Sequence, residues 1–275
     1  MKIGNRGGHT KTSYGAVGVI DEYVEDRKLI KRVNELLSQY HTIIDCTPDD
    51  TKGNGEWNLG VKTANNNKVD IFFSIHFNSA SGGANGSECL VASNCSAETR
   101  KYANRVLENL KNLGFKNRGI KNRDDLAETT GCSMPSMIIE VCFVQDPDAT
   151  LYKKLGIEKV ARAIANGIDS RIALNQPEWK KNSNGWWYDL GNGDYPKEKW
   201  LEINGEWYYF DKDGYAYNNK WLKYKEKWYY FDENCKMISK TIRCIKDKWY
   251  AFNSEGVMLS DCSININSNG ELIFG

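Results

Sequence analysis

Tryptophan recurs every 21 residues through the last third of the chain, and this regularity constrains the fold more than any other feature of the sequence. Two series keep the spacing: Trp179, Trp200 and Trp221, and Trp186, Trp207, Trp228 and Trp249. Each unit contains an aromatic strand, a polar turn that usually holds glycine, and a second short strand, which together predict a β-hairpin. Because one hairpin cannot bury its apolar face alone, we expect the units to stack into a solenoid.

The tryptophans also mark a domain boundary. Eight of the nine lie at position 179 or beyond, and the composition changes at the segment 174–178. A chain of 275 residues is long enough for one α/β domain and a smaller module. We therefore expect a first domain over residues 1–175 and a repeat domain over residues 176–275.

Before the boundary, apolar patterns typical of helices alternate with patterns typical of strands. Helices are predicted over residues 22–40, 97–113 and 157–174, and strands over residues 42–46, 69–77 and 137–143. This alternation predicts an α/β fold, a twisted and mostly parallel sheet with helices on both faces. In such sheets, functional sites lie at the carboxyl ends of the strands.

Composition narrows the classes of partner and compartment. The formal net charge is +1 with 27% charged residues, which gives no indication of a nucleic-acid or membrane partner. The chain has no run of 18 apolar residues and does not begin with a basic and then apolar segment, so we expect neither a membrane span nor a signal peptide. The eight cysteines form no Cys-x-x-Cys pair and are interpreted as mostly reduced, buried thiols of a protein made in the cytoplasm.

Four residues lie where an α/β enzyme tends to carry its chemistry. His9 follows a short N-terminal strand, Glu22 begins a helix, and His76 and Glu140 each end a strand. Two imidazoles and one carboxylate form a known ligand set of catalytic zinc, which keeps a fourth position for water. A further carboxylate would then serve as general base.

Each of these residues also has an ordinary structural explanation. A single histidine at a strand end is more often part of the core or the surface, and Glu22 suits the first turn of a helix. A carboxylate inside an apolar strand, as at Glu140, is costly to bury unless it is paired or used. His41 follows a helix end and is interpreted as structural. From the residues alone, the metal-site and structural explanations both stay open.

Four ordered motifs resemble the zinc-dependent N-acetylmuramoyl-L-alanine amidase family known as Amidase_3. They span most of residues 1–175: Gly8-His9 with Gly15-Ala16 and Glu22, Ser74-Ile-His76-Phe-Asn78, Arg118-Gly-Ile-Lys121 followed by Leu126, and Pro135-Ser-Met-Ile-Ile-Glu140-Val-Cys-Phe143. One departure is the segment Asn5-Arg-Gly-Gly-His9, where the family has Asp-Pro-Gly-His-Gly-Gly. We expect this departure to affect substrate preference rather than the metal.

The resemblance implies the mechanism. Zinc would be held by His9, Glu22 and His76, and Glu140 would accept a proton from the attacking water and pass it to the leaving amine. The bond cleaved would join the lactyl group of N-acetylmuramic acid to L-alanine in bacterial peptidoglycan. The implied cofactor is therefore Zn²⁺ and the implied partner is the bacterial cell wall.

The repeats resemble the cell-wall-binding repeats of choline-binding proteins. In that family, two aromatic residues of one repeat and one of the next form a cage that attracts quaternary ammonium by cation–π interaction. The candidate cage residues are Trp200, Trp207, Trp221, Trp228, Tyr209 and Tyr230. Thr241 replaces the first tryptophan of the last unit, so a cage is not expected there. The alternative is that the aromatic residues only fill the core of the solenoid.

The combined prediction is a lytic peptidoglycan amidase with a wall-binding tail. Without a signal peptide it resembles a phage endolysin, which is made in the host cytoplasm and acts on the wall after release. Three alternatives remain open at this point: a bacterial autolysin of the same chemistry, a zinc peptidase that cleaves within the stem peptide, and a non-catalytic protein that binds choline or the wall.

Overall fold

The computed structural model describes residues 1–48, 55–261 and 263–274. The chain divides into two compact units, Met1–Asn175 and Gln176–Gly275. Within the described residues, no helix has both the length and the apolar character that a membrane span requires. Cys262 lies outside the described residues, and the other seven cysteines are free thiols.

The first unit contains six strands and five helices among its described residues. In chain order they are β1 (Lys2–Gly7), α1 (Glu22–Leu37), β2 (Thr42–Asp45), α2 (Glu56–Asn67), β3 (Ile71–Asn78), β4 (Ser87–Val91), α3 (Ala97–Asn112), β5 (Asn117–Asn122), α4 (Ala127–Thr130), β6 (Ser136–Phe143) and α5 (Asp148–Ile168).

One six-stranded sheet organises this unit, with the strand order β2-β1-β3-β6-β4-β5. Strand β1 pairs in parallel with β2 and β3, β3 pairs in parallel with β6, and β4 pairs in parallel with β5. The junction between β4 and β6 is antiparallel. The predicted α/β fold with a mostly parallel sheet is therefore confirmed.

The two faces of the sheet carry different side chains because successive residues of a strand point to opposite sides. Ile71, Phe73 and Ile75 of β3 point into the main apolar cluster, to which α1, α3 and α5 also contribute. On the other face, Phe72 packs in a smaller cluster with Ala64 of α2. His76 and Glu140 lie by this alternation on the same face as Phe72, so helices cover both faces and the polar site faces α2 and α4.

Several elements differ from the sequence prediction. The closing helix α5 begins at Asp148 rather than at residue 157, and Gly156 interrupts it with a left-handed φ of 77°. This interruption breaks the apolar periodicity, so only the second part of the helix was predicted. Helices α2 and α4 and strands β4 and β5 were not predicted. Strand β5 and helix α4 are short and polar, and they give little hydrophobic signal.

The second unit consists of short antiparallel hairpins, as the 21-residue period predicts. They are β7 (Glu178–Asn182) with β8 (Gly185–Asp189), β9 (Lys199–Ile203) with β10 (Glu206–Phe210), β11 (Lys220–Tyr224) with β12 (Lys227–Phe231), β13 (Thr241–Ile245) with β14 (Lys248–Phe252), and β15 (Ile264–Ile266) with β16 (Leu272–Phe274).

Backbone hydrogen bonds join one hairpin to the segment that follows the next. The Met237 amide donates to the Trp207 carbonyl at 2.8 Å, and the Met258 amide donates to the Trp228 carbonyl at 2.7 Å. Phe210, Phe231 and Phe252 end equivalent strands and are fully buried. The repeated phenylalanine therefore forms the interior of the hairpin array.

We predict that Phe231→Ala lowers the free energy of unfolding of this array by about 3–5 kcal/mol, because a large buried side chain is lost and a cavity remains. Guanidinium unfolding followed by tryptophan fluorescence measures this change, since eight of the nine tryptophans lie at position 179 or beyond. The matched control is Lys227→Ala on the same strand, where the side chain is exposed and the change should stay within about 0.5 kcal/mol. Equal unfolding midpoints for the two variants would contradict the assigned interior.

Candidate metal centre and aromatic pockets

Strands β3 and β6 bring two of the predicted site residues together. In their parallel register, His76 lies directly opposite Glu140. Glu140 is in turn opposite Glu88 of β4 across the antiparallel junction. These three side chains therefore form a row across the sheet, on the face that carries α2 and α4.

The other two predicted residues are His9, which follows the end of β1, and Glu22, which is the first residue of α1. His9 has a left-handed backbone φ of 58°, and its Nδ1 donates to the Ser13 carbonyl at 3.1 Å. That hydrogen bond occupies Nδ1, so Nε2 is the nitrogen of His9 that is available to bind a metal ion. Glu22 opens α1 behind the N-cap Asp21, whose side chain accepts a hydrogen bond from the amide of Val24.

Glu22 is the point at which the two histidines meet. Its Oε1 lies 3.2 Å from His9 Nε2 and 3.2 Å from His76 Nδ1. The same oxygen accepts the Phe77 amide at 3.0 Å, and Oε2 accepts the Ala16 amide at 2.8 Å. The carboxylate is therefore fixed by the backbone while facing both imidazoles.

The donor atoms of His9, Glu22 and His76 all lie within 4.8 Å of one another, close enough to hold one metal ion. Two imidazole nitrogens and one carboxylate oxygen suit a tetrahedral zinc with one open position. Two glycines make room for this cluster. A Cβ at Gly15 would lie 2.6 Å from His9 Cδ2 and would overlap the Glu22 carboxylate, and a Cβ at Gly8 would overlap the His76 ring. The residues present therefore fit a metal centre.

The electrostatic environments of Glu22 and Glu140 differ. Burial acts to raise the pKa of Glu22, but hydrogen bonds from His76 and His9 outweigh it and hold the pKa well below the ordinary value. Burial raises the pKa of Glu140 to about 7; His76 opposes this rise, and the Glu22 and Glu88 carboxylates add to it. Oε2 of Glu140 is buried and makes no hydrogen bond within the described residues. The pKa values of the two carboxylates are therefore shifted in opposite directions, downwards for Glu22 and upwards for Glu140.

All four predicted residues line one cavity of about 480 Å³. Leu126, from the segment that follows the Arg-Gly-Ile-Lys motif, lines it as well. The cavity also includes residues that the sequence analysis did not select: Arg6, Glu56, Trp57, Arg123 and Glu128. His41 does not line this cavity, and its Nε2 lies 2.7 Å from Asp169 Oδ2.

Glu128 and Glu88 were missed because α4 and β4 were not predicted. Glu128 is buried and contacts Arg6, Ser74 and His76. Glu88 accepts hydrogen bonds from Asn78 Nδ2 and Arg118 Nε, both at 2.8 Å. The sequence offered one signal for Glu88, since its two partners, Asn78 and Arg118, belong to the quoted motifs.

In the hairpin array, aromatic residues of one hairpin meet a tyrosine of the next. Trp221 lies 6.3 Å from Trp228 in its own hairpin and 4.8 Å from Tyr250 in the next, as measured between ring centroids. These three rings and Met258 line an apolar pocket of about 330 Å³. One repeat earlier, Trp200 lies 6.4 Å from Trp207 and 4.9 Å from Tyr229. The four predicted tryptophans are therefore brought together in two pairs.

The two tyrosines selected from the sequence, Tyr209 and Tyr230, meet Trp200 and Trp221 at 5.4 Å and 5.0 Å between ring centroids, from within the same hairpin. Tyr209 and Tyr230 are cross-strand partners of Trp200 and Trp221 within their own hairpins. Tyr230 is buried, and the pocket at Trp221 is lined by Tyr250 instead. Trp228-Tyr-Tyr230 offers two adjacent tyrosines, and only the stacking of the hairpins shows that Tyr229 is the one that reaches Trp200.

Comparison with known proteins supports the motif-based resemblance. The model of the N-acetylmuramoyl-L-alanine amidase family matches residues 6–170. The chain belongs to this amidase family. A choline-binding repeat model matches residues 198–241 within the hairpin array.

Two solved structures share the fold of the amidase unit. The catalytic domain of the CD27L endolysin, which targets Clostridia difficile, has a TM-score of 0.54 at 30% identity and covers 61% of this chain and 96% of that chain. The catalytic domain of CwlV, an N-acetylmuramoyl-L-alanine amidase from Bacillus (Paenibacillus) polymyxa var. colistinus, has a TM-score of 0.55 at 27% identity and covers 62% and 98%.

Curated relatives include a phage lysis protein. The endolysin of Bacillus phage SPP1 is 29% identical over 184 residues, which are 64% of this chain and 65% of that protein. An uncharacterised protein of Clostridium perfringens strain 13 is 36% identical over 207 residues, 73% of this chain and 58% of that protein. The chain therefore spans little more than half the length of some of its curated relatives.

We predict that Gly15→Ala lowers the affinity of the amidase unit for a divalent metal, because the added methyl displaces His9 and Glu22. The expected loss is about 10–100-fold, the range typical when the support of a metal ligand is disturbed. Calorimetric titration of metal-free protein measures it. The control is Val17→Ala, an exposed position in the same loop. Equal metal affinities for both variants would contradict the packing of Gly15 against the donors.

Proposed function

We propose that the chain is an N-acetylmuramoyl-L-alanine amidase that holds a catalytic zinc with His9, Glu22 and His76. The observation that carries the proposal is the convergence of these three donors within 4.8 Å, in the same cavity as Glu140. The substrate would be the amide between the lactyl group of N-acetylmuramic acid and L-alanine, in keeping with the family. When bound, zinc supplies Lewis acidity, which lowers the pKa of water and polarises a carbonyl.

Glu140 is proposed as the general base and acid. Its raised pKa, about 7, suits a group that takes a proton from water and returns it to an amine at neutral pH. Its free Oε2 leaves an oxygen to accept that proton. The His76–Glu140 register keeps the base beside the proposed ligand without making it one of the three donors.

The hairpin array is proposed to hold the enzyme on the bacterial wall by binding choline. The pocket at Trp221, Trp228, Tyr250 and Met258 is apolar and open to solvent, as a quaternary ammonium group requires. The match to a choline-binding repeat model supports the same ligand. The likeness of the amidase unit to the SPP1 and CD27L endolysins leads us to propose a lytic role of endolysin type.

One experiment separates this activity from a stem-peptide peptidase and from a non-catalytic binding protein. Zymography on purified cell walls, with and without a chelator, tests for a metal-dependent lytic enzyme. Identification of the newly released groups then distinguishes cleavage at the lactyl–alanine amide from cleavage within the stem peptide. Release of stem fragments with free internal amino groups would point to a peptidase, and absence of lysis would point to a binding protein alone.

We predict that His76→Ala loses both zinc and lytic activity, whereas Glu140→Gln keeps zinc and slows cleavage about 10²–10⁴-fold, the usual cost of losing a general base. Zinc is measured by elemental analysis and activity by the clearing of wall suspensions. The control is His41→Ala, which removes the third histidine far from the donors and should retain zinc. Full activity in metal-free His76→Ala would refute the zinc site. Loss of stoichiometric zinc from Glu140→Gln would make Glu140 a ligand.

The choline proposal is tested by two equivalent tryptophans. Trp228 lines the pocket. Trp249 is its equivalent one repeat later, but the hairpin of Trp249 has Thr241 in place of the first tryptophan, and Trp249 is 73% exposed. We predict that Trp228→Ala binds one choline fewer in calorimetric titration, whereas Trp249→Ala keeps the wild-type number. In the wild type, choline at a hundred-fold excess over its dissociation constant should stabilise the array by about 2.7 kcal/mol. If added choline leaves the melting temperature of the array unchanged, choline is not the ligand.

A further inference from the structure

A buried cluster lies behind the proposed metal ligands. Glu128, at the second position of α4, accepts a hydrogen bond from Arg6 Nη1 at 3.2 Å and another from the Ser74 hydroxyl at 3.2 Å. Both charged side chains are almost fully buried. The third neighbour of the carboxylate is His76, whose Nε2 lies 3.7 Å from Glu128 Oε2.

The two ring nitrogens of His76 face two different carboxylates. Nδ1 points to Glu22 Oε1 at 3.2 Å and so belongs to the donor set, while Nε2 points away from it to Glu128. Among the described residues, Nε2 is buried and makes no hydrogen bond, and the carboxylate 3.7 Å from it belongs to Glu128. Histidines that bind metals nearly always direct their second nitrogen at a carboxylate, carbonyl or water, which sets the tautomer and the orientation of the ring.

We propose that Glu128 is a positioning residue, which keeps the proton of His76 on Nε2 and so presents Nδ1 to the metal. The inference rests on the proposed zinc site. Arg6 of β1 and Ser74 of β3 hold the Glu128 carboxylate in place by hydrogen bonds. Glu128 in turn faces His76, the proposed metal ligand. Glu128 itself lies outside the group of three donors.

A purely structural role is the competing explanation, because Glu128 also neutralises the buried Arg6. A buried ion pair is, however, weak evidence for stability, since apolar residues of similar size often serve the fold equally well. The two roles predict different zinc affinities when Arg6 and Glu128 are replaced together. A purely structural role predicts an unchanged affinity, and a positioning role predicts a weaker one. A double variant restores a balanced interior but cannot orient His76.

The test compares the wild type with Glu128→Gln and with the double variant Arg6→Met, Glu128→Leu. Zinc dissociation constants are measured by competition with a chromophoric chelator, after circular dichroism shows that each protein is folded. We expect zinc to bind about 10–100-fold more weakly to the double variant. Glu128→Gln retains a neutral acceptor and should fall between the double variant and the wild type. A double variant whose zinc affinity is within about two-fold of the wild type would overturn the positioning role.

A second measurement does not depend on affinity. Nitrogen-15 spectra of histidine-labelled, zinc-loaded wild type should show the His76 proton on Nε2 and the metal on Nδ1. The opposite assignment overturns the proposal. A wild-type protein that takes up no zinc overturns the proposed function itself and this inference with it. Normal zinc uptake with unchanged variants overturns only the role of Glu128.

Discussion

The parallel pairing of β3 with β6 is the constraint on which the first unit depends. It places His76 opposite Glu140, while the alternate residues of both strands, such as Ile75 and Ile139, fill the main apolar cluster. A slip of one residue in either strand would turn the polar side chains of that strand into this cluster and expose its apolar ones. The packing of the apolar core on one face of the sheet therefore fixes the positions of His76 and Glu140 on the other face.

Four of the carboxylates in and around the cavity, Glu22, Glu88, Glu128 and Glu140, differ in their partners. Glu22 faces two histidines, Glu88 is paired with an arginine, and Glu128 is paired with the buried Arg6. Glu140 lies between them with an oxygen that makes no hydrogen bond within the described residues. Because it is buried and has other carboxylates around it, Glu140 is the one of the four whose pKa rises towards neutrality. The arrangement thus distinguishes Glu140, whose pKa is raised, from three carboxylates that face histidine or arginine side chains.

The sequence predicts those parts of the molecule that are encoded locally. The ends of predicted strands indicated His76 and Glu140 as site residues, and the N-terminal motif indicated His9 and Glu22. The spacing of the tryptophans predicted the hairpins. The remaining parts depend on contacts between distant segments. Glu128 meets His76 only after a short polar helix has packed beneath the sheet, and such a helix has no apolar period. Tyr229 differs from the adjacent Tyr230 only through the stacking of the hairpins, which brings it to the ring of Trp200.

The aromatic pocket at Trp221 lies between two hairpins, because Trp221 and Trp228 belong to one hairpin, Tyr250 to the next and Met258 to the segment that follows it. In a linear array, stability divides into the intrinsic terms of each repeat and the coupling between neighbours. A molecule bound in this pocket therefore adds to the coupling between neighbours rather than to either hairpin alone. Loss of the later hairpin would abolish the pocket even though both tryptophans remained, and occupancy would make the two hairpins unfold together.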